Sequence, residues 1–257
     1  MVSGGSDGIG LAMCHKLARE GFNICIVARN EEKMKGCIKD ISEKCPGVQT
    51  MYIVADLSKM YKVEDYKATI ADKLVDLDVA IVVANAGYGP QLMFEHLNDE
   101  NLGTTLSLNV LHVAYLIRAL SDQLLKRKET TGKKPALVVV SSIAANFRGG
   151  VYSSTKAFAT NLAASLSFTM DGLVDVLCYE PGFVETKMVK GHDTALMIDP
   201  DRAADVCFRD LGRTRVTKGD WRHYVTYWLY ASLPDFLIAS AMKAAAAQSK
   251  EKALKGQ

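Results

Sequence analysis

Ser3-Gly4-Gly5-Ser6-Asp7-Gly8-Ile9-Gly10 opens the chain and runs directly into a helical pattern over residues 9–20. Glycines at 4, 8 and 10 let the backbone approach a bulky anion. The helix start behind them offers free N–H groups and the positive end of the helix dipole. Ser3, Gly4, Ser6, Asp7, Gly8, Ile9 and Gly10 are therefore candidates to cradle a pyrophosphate. A plain tight turn before a helix would use the same letters, and the spacing GxxxGxG differs from the GxGxxG fingerprint. The residues beyond the loop decide between the two.

Short apolar runs rich in Val and Ile occupy residues 23–28, 49–55, 78–84, 136–141 and 174–179. Runs of this kind suit strands covered on both faces, as in a parallel sheet. Helical patterns separate them over 9–20, 31–44, 63–74, 101–128, 151–170 and 202–211. The alternation predicts an α/β fold, a Rossmann-like doubly wound parallel sheet with right-handed crossovers. Ligands in such sheets bind beyond the carboxyl ends of the strands, so the residues just after each run are the ones to inspect.

After the second strand comes Arg29, with no acid immediately behind the run. An acid there would accept from an adenosine 2′-hydroxyl, whereas an arginine pairs with a 2′-phosphate, so Arg29 favours NADP(H). Asp56 comes after the third strand and is a candidate for the adenine edge or, equally, a cap for the next helix. Asn85, Ala86 and Gly87 come after the fourth, small enough for a strand end to pack beside the adenine ribose. Pro181 and Gly182 end the sixth, and the backbone near Val184 and the Thr186 hydroxyl are candidates to bind the nicotinamide carboxamide and phosphates.

The fifth strand ends in Ser141-Ser142, and Tyr152-Ser153-Ser154-Thr155-Lys156 begins the next helix. Tyr152 and Lys156 stand four apart and share a helical face. A free phenol titrates near pH 10, and a neighbouring ammonium would lower that value, which suits Tyr152 to give a proton to a carbonyl. Lys156 could also hold the nicotinamide ribose. Ser142 would polarise the carbonyl, with Ser141 as the alternative. A lone YxxxK pair is common by chance; its place downstream of the glycine loop, Arg29 and the Asn85 turn is what lends it weight. Asn109, flanked by Leu108 and Val110, is a further site candidate or a satisfied core amide.

The segments SGGSDGIG, ARN, ADL, NAG, LNV, VSS, YSSTK and PGFVET, in that order, resemble the short-chain dehydrogenase/reductase superfamily over nearly the whole chain. VDVLCYEPGFVETKM at 174–188 resembles the very-long-chain 3-oxoacyl-CoA reductases and their 17β-hydroxysteroid dehydrogenase relatives. So does a tail with Asp199-Pro200, Lys218-Gly219 and Ser232-Leu233-Pro234. The resemblance implies a catalytic tetrad of Asn109, Ser142, Tyr152 and Lys156, with Asn109 placing a relay water. It also implies NADPH, a lipid carbonyl substrate and attachment to the cytosolic face of the endoplasmic reticulum membrane. Three departures stand out. Only Met1 to Ser3 precede the glycine loop, so the family's first strand is expected to be missing and the chain to be an incomplete copy of a longer protein. Ser142 is ten residues before Tyr152, closer than the family's usual spacing. Ser3 stands where the family commonly has threonine.

Bulk composition adds exclusions. A net charge of +2 on 257 residues gives no electrostatic footprint for nucleic acid. The six cysteines show neither CxxC nor metal-ligand spacing, so no metal is expected and the thiols read as reduced. No basic-then-apolar leader opens the chain. Residues 1–220 read as the dinucleotide-binding catalytic domain and 221–257 as an apolar helical segment with a lysine-containing tail. Residues 224–247 are strongly apolar, but Pro234, Asp235 and Lys243 leave neither half near the roughly 20 residues a spanning helix needs. That segment could pack in a homodimer, cover a substrate, or lie at a membrane surface through Trp221, Trp228 and its tyrosines. Arg148, Lys187, Lys190 and Arg202 could meet CoA phosphates or simply be solvated. A binding or scaffold pseudoenzyme is the remaining reading.

Overall fold

Val and Ile runs with no polar face become central strands because both of their faces can be covered. In the computed structural model, which describes residues 1–90, 94–189, 194–234, 236–238, 240 and 243, this is what happens. Strands β1 (Val2–Ser3), β2 (Ile24–Ala28), β3 (Thr50–Val54), β4 (Ile81–Ala84), β5 (Ala136–Val140), β6 (Asp175–Tyr179) and β7 (Val216–Thr217) form one parallel sheet of order 3-2-1-4-5-6-7. Order reverses beside β1, which puts the switch-point crevice over the glycine loop.

Helices cover both faces. On one side α1 (Gly8–Arg19), α2 (Glu31–Lys44) and α7 (Pro200–Asp210) bury Met13, Leu17, Met34, Ile41 and Val206 against Ile26, Val83, Val138 and Leu177. On the other, α3 (Val63–Thr69), α5 (His112–Thr131) and α6 (Gly150–Thr169) bury Tyr66, Leu116, Leu120, Leu124 and Ala163 against Val27, Val82, Leu137 and Val139. Val82 and Val83 face opposite ways, as strand alternation requires. A further helix, α8 (Trp221–Ala231), comes after β7.

Four local readings change. The first strand is not missing. Val2 and Ser3 pair with Ile26 and Val27 on one side, and Val2 pairs with Val83 on the other. The ladder is extended by Met1, whose carbonyl accepts from Val83 N (2.9 Å) and whose amine donates to Ile81 O (2.8 Å). A strand flanked on both sides needs very few residues, and counting apolar letters before Gly4 overlooked this. The expected helix 63–74 stops at Thr69 and continues as a short 3₁₀ turn, Ala71–Lys73. The expected helix 101–128 is α4 (Asp99–Leu106) and α5 joined by a π-turn, Ser107–Leu111, with Asn109 inside it. Two-residue β7 has no apolar run to announce it; the resemblance implies a seven-stranded sheet but does not place this strand.

Candidate active site

The glycine loop folds back so tightly that a Cβ at Gly10 would sit 2.4 Å from the Gly4 carbonyl oxygen and 2.5 Å from Asn85 Nδ2. Only glycine fits there, and the α1 N-terminus is thereby left open to a ligand. Asp7 caps α1 by accepting from Gly8 N (2.9 Å). Its carboxylate also meets Lys33 from α2 and Lys187 Nζ (2.9 Å) from the stretch after β6. Partial burial would raise the Asp7 pKa, but hydrogen bonds from Lys33, Lys187 and Gly8 outweigh it and hold the group at about 2. Thr186 closes over the loop, its Cγ2 within 3.1 Å of a Cβ built on Gly8. Arg29 stands exposed at the carboxyl end of β2. Lys33, four residues further on, is committed to Asp7.

Ser3 lies behind this loop rather than in it. Its fully buried hydroxyl accepts from Asn85 N (3.0 Å) and Ala86 N (3.2 Å) and meets His112 Nε2 at 3.0 Å. His112 Nδ1 faces the Leu108 carbonyl at 3.0 Å, which can only accept, so the imidazole carries its proton on Nδ1, and the one Ser3 proton lies between Nε2 and the Val83 carbonyl (3.2 Å). Burial pushes His112 down to about 4, so it is neutral. Ser3 thus acts through its neighbours: it fixes the Asn85–Ala86 turn. Asn85 Nδ2 in turn donates to Ser3 O (3.0 Å). Asp56 resolves as a cap, accepting from Ser58 N (3.2 Å) and Ser58 Oγ (2.6 Å).

At the ends of β5 and β6 the proposed tetrad comes together. The Tyr152 side chain shares a hydrogen bond with Ser142, and its ring lies against the backbone of Gly89. Ser142 Oγ also accepts from Ala144 N (3.2 Å), capping the short turn Ile143–Asn146. Ser141, the alternative, is buried and donates to the Lys156 carbonyl (2.8 Å), so it is committed elsewhere. Lys156 is 4% exposed; its ammonium donates to Val140 O (2.9 Å) and lies 5.9 Å from the Tyr152 ring centroid. Burial lowers its pKa to about 8. Burial raises that of Tyr152, against a smaller opposing effect of the Ser142 hydrogen bond. The expected lowering of Tyr152 by Lys156 is therefore corrected: the ammonium is turned onto a backbone carbonyl, and the phenol keeps its proton at neutral pH.

Asn109 is a satisfied amide. Its Oδ1 accepts from Tyr88 N (2.9 Å), and its Nδ2 donates to Tyr88 O (2.7 Å) and Thr155 Oγ1 (3.0 Å). Thr155 passes the contact on by donating to the Tyr152 carbonyl (2.7 Å). A Cβ on Gly87 would lie 3.1 Å from Asn109 Oδ1 and 3.3 Å from Lys156 Nζ, so the turn after β4 is fitted between the two. Val184 is buried and bridged to Ile198. Of the basic residues considered for CoA, Arg202 is engaged with buried Asp220 (2.8 Å), Lys187 is held by Asp7, and Lys190 lies outside the described residues. The crevice as a whole could take a phosphate-bearing dinucleotide, with a hydroxyl, a phenol and an ammonium at its far end.

Comparison with known proteins agrees with this geometry. A family model described as short chain dehydrogenase matches residues 1–196. A very-long-chain 3-oxoacyl-CoA reductase-like protein of Arabidopsis thaliana is 28% identical over 251 residues, covering 93% of this chain and 78% of its own. Human inactive hydroxysteroid dehydrogenase-like protein 1 is 28% identical over 248 residues, covering 92% and 72%. Among solved structures, a 7β-hydroxysteroid dehydrogenase superposes with a TM-score of 0.80 at 21% identity, covering 93% of each chain. An alcohol dehydrogenase from Thermococcus sibiricus, complexed with 5-hydroxy-NADP, gives 0.71 at 27% identity, covering 84% and 92%.

Proposed function

The chain belongs to the short-chain dehydrogenase family, and on that footing we propose that it reduces a lipid carbonyl with NADPH, a 3-oxoacyl-CoA first among substrates. The observation that carries this reading is the protonated, half-buried Tyr152 phenol hydrogen-bonded to Ser142 beside buried Lys156. The glycine loop and the α1 N-terminus would hold the pyrophosphate, Arg29 the 2′-phosphate, and residues 181–186 the nicotinamide side. NADPH, when bound, supplies the hydride. Ser142, whose hydroxyl donates weakly to the Pro181 carbonyl in this structure (3.4 Å), would turn that proton to the substrate oxygen and position it. Tyr152 gives its proton to that oxygen as negative charge develops, and Lys156 compensates the phenolate left behind. A pKa raised by burial suits this direction, because the acid form of Tyr152 is the form reduction consumes.

The 3-oxoacyl-CoA assignment is supported by the resemblance at 174–188 and by the name of the Arabidopsis relative. A hydroxysteroid substrate is the second reading, favoured by the 7β-hydroxysteroid dehydrogenase fold match. NADPH oxidation with a panel of 3-oxoacyl-CoAs and oxosteroids separates them, run alongside NADH and with Arg29→Ala. Turnover is expected with the thioesters. Arg29→Ala should weaken NADPH by about ten- to hundredfold, the value of a charge-assisted contact worth roughly 1.5–3 kcal/mol, and spare NADH. Tighter NADH than NADPH in the wild type rejects the cofactor choice. NADPH binding with no turnover of any panel member would instead favour a scaffold role; the human relative's name calls it inactive.

The reading extends to location. Trp221 and Trp228 are 61% and 66% exposed on α8, with Tyr224, Leu229 and Tyr230 beside them. Among the described residues no helix is long and apolar enough to cross a membrane. Contact of this face with the cytosolic surface of the endoplasmic reticulum would therefore be interfacial. The protein is expected to float with liposomes, and Trp221→Ser/Trp228→Ser to remain in the soluble fraction; equal recovery of the two forms rejects the contact. Residues 244–257, including the lysine tail, lie outside the described residues.

A further inference from the structure

Glu180, the last residue before Pro181, is charged yet only 1% exposed. Its carboxylate accepts from three different elements. Thr160 of α6 donates to Oε1 (2.8 Å), while Asn146 of the Ser142 turn and Lys218 after β7 each donate to Oε2 (3.1 Å). Lys218 is itself held down, its ammonium 4.1 Å from the Tyr227 ring centroid of α8. The Lys218 carbonyl lies 3.1 Å from His223 Nδ1 and the Phe183 carbonyl 3.1 Å from Nε2, and burial favours the neutral imidazole, whose single N–H serves one carbonyl at a time. The imidazole is fully buried and leaves no room at residue 182, where a Cβ would meet His223 Cδ2 at 2.7 Å. Pro181 in turn accepts from Ile143 N (3.0 Å) and Ser142 Oγ (3.4 Å).

Residues 181–183 are thus gripped from two sides. Ser142 and its turn hold one side, and Lys218 and His223 hold the other. A buried ion pair is poor evidence for stability on its own, because desolvation offsets most of the attraction. What it does supply is a fixed geometry for the groups it joins. We propose that Glu180, Lys218 and His223 are positioning residues that set the nicotinamide-side stretch 181–186 against Ser142, so that the segment after β7 governs how the reactive half of the dinucleotide is held. This rests on the NADPH reading above.

The consequence is selective. Loosening the grip should affect the half of the cofactor that residues 181–186 would contact and leave the adenosine half alone. The test measures dissociation constants for NADPH and for 2′-phospho-ADP-ribose, which lacks the nicotinamide. The variants are Glu180→Gln/Lys218→Met, which removes both charges together and strands neither, and His223→Phe. Each should weaken NADPH by about tenfold or more and leave 2′-phospho-ADP-ribose unchanged, a retained affinity that also shows the fold is intact. His223→Gln, whose amide can still donate to the Phe183 carbonyl, should recover most of the NADPH affinity. Equal losses for the two probes, or no loss of NADPH, overturn the proposal. A wild type that binds neither probe overturns the dinucleotide reading and this proposal with it.

Discussion

Tyr152→Phe is expected to lower turnover by about 10²–10⁴-fold while leaving NADPH affinity largely unchanged, the range for loss of a positioned general acid. The substitution deletes one hydroxyl and keeps the ring, so the contact with Gly89 survives. Ser142 loses a hydrogen-bond partner but stays anchored to Ala144 N, and the Thr155 link to the Tyr152 carbonyl is backbone-borne and unaffected. Steady-state kinetics with fluorescence titration of NADPH separates the two quantities. Retention of more than about a tenth of wild-type turnover would show that another group delivers the proton. A parallel loss of cofactor affinity would show that the phenol is structural.

Lys156→Met is expected to remove activity and to stabilise the apoprotein. The lysine is buried, and burial lowers its pKa from 10.5 to about 8. A base whose native pKa lies below its unfolded value is held protonated more tightly by the unfolded chain. The native state therefore bears the full cost below pH 8, and the cost fades as pH rises from about 8 toward 10.5. At about 1.4 kcal/mol per unit this is on the order of 3 kcal/mol. Losing the charge-assisted bond to Val140 O offsets roughly 1.5–3 kcal/mol of this, leaving a gain of at most about 2 kcal/mol. For a chain of this size that is a rise in Tm of no more than about 4–8 °C at pH 7. Calorimetry at pH 7 and pH 10 tests the sign: the advantage of the variant should shrink at pH 10. A variant less stable than wild type at pH 7 would mean that the ammonium supports the fold rather than straining it.

The sheet was legible because its strands need no side-chain partner of a particular kind, only apolarity on both faces, and the Val and Ile runs at β2, β4, β5 and β6 state that directly. The glycine loop and the Tyr152–Lys156 spacing were legible for a similar reason, since each is a short-range pattern with one geometric outcome. What escaped was set by neighbours distant in sequence. β1 is two residues long and depends on hydrogen bonds from β2 and β4. Glu180 reads as a solvated carboxylate until Thr160, Asn146 and Lys218 are brought around it. His112 and His223 read as surface or core histidines, with nothing local to indicate Ser3 or Phe183 as partners. The Tyr152 pKa was misjudged because four-residue spacing fixes a shared face but not where a flexible ammonium points.

The π-turn at Ser107–Leu111 accommodates one more residue than a regular helix would use for the same advance along its axis. Deleting a single residue there could restore an unbroken α-helix, a locally favourable change. The flanking turns would keep their register, because the π-turn already absorbs the extra residue, so Val113, Leu116, Leu120 and Leu124 would stay against the sheet. Asn109 would lose its two hydrogen bonds to the Tyr88 backbone. The extra residue is thus demanded by the crevice and not by the core. Relatives that keep the Asn109 contact should hold the count between Asn98 and Thr131 constant, and those that drop it can lose one residue there without repacking the sheet.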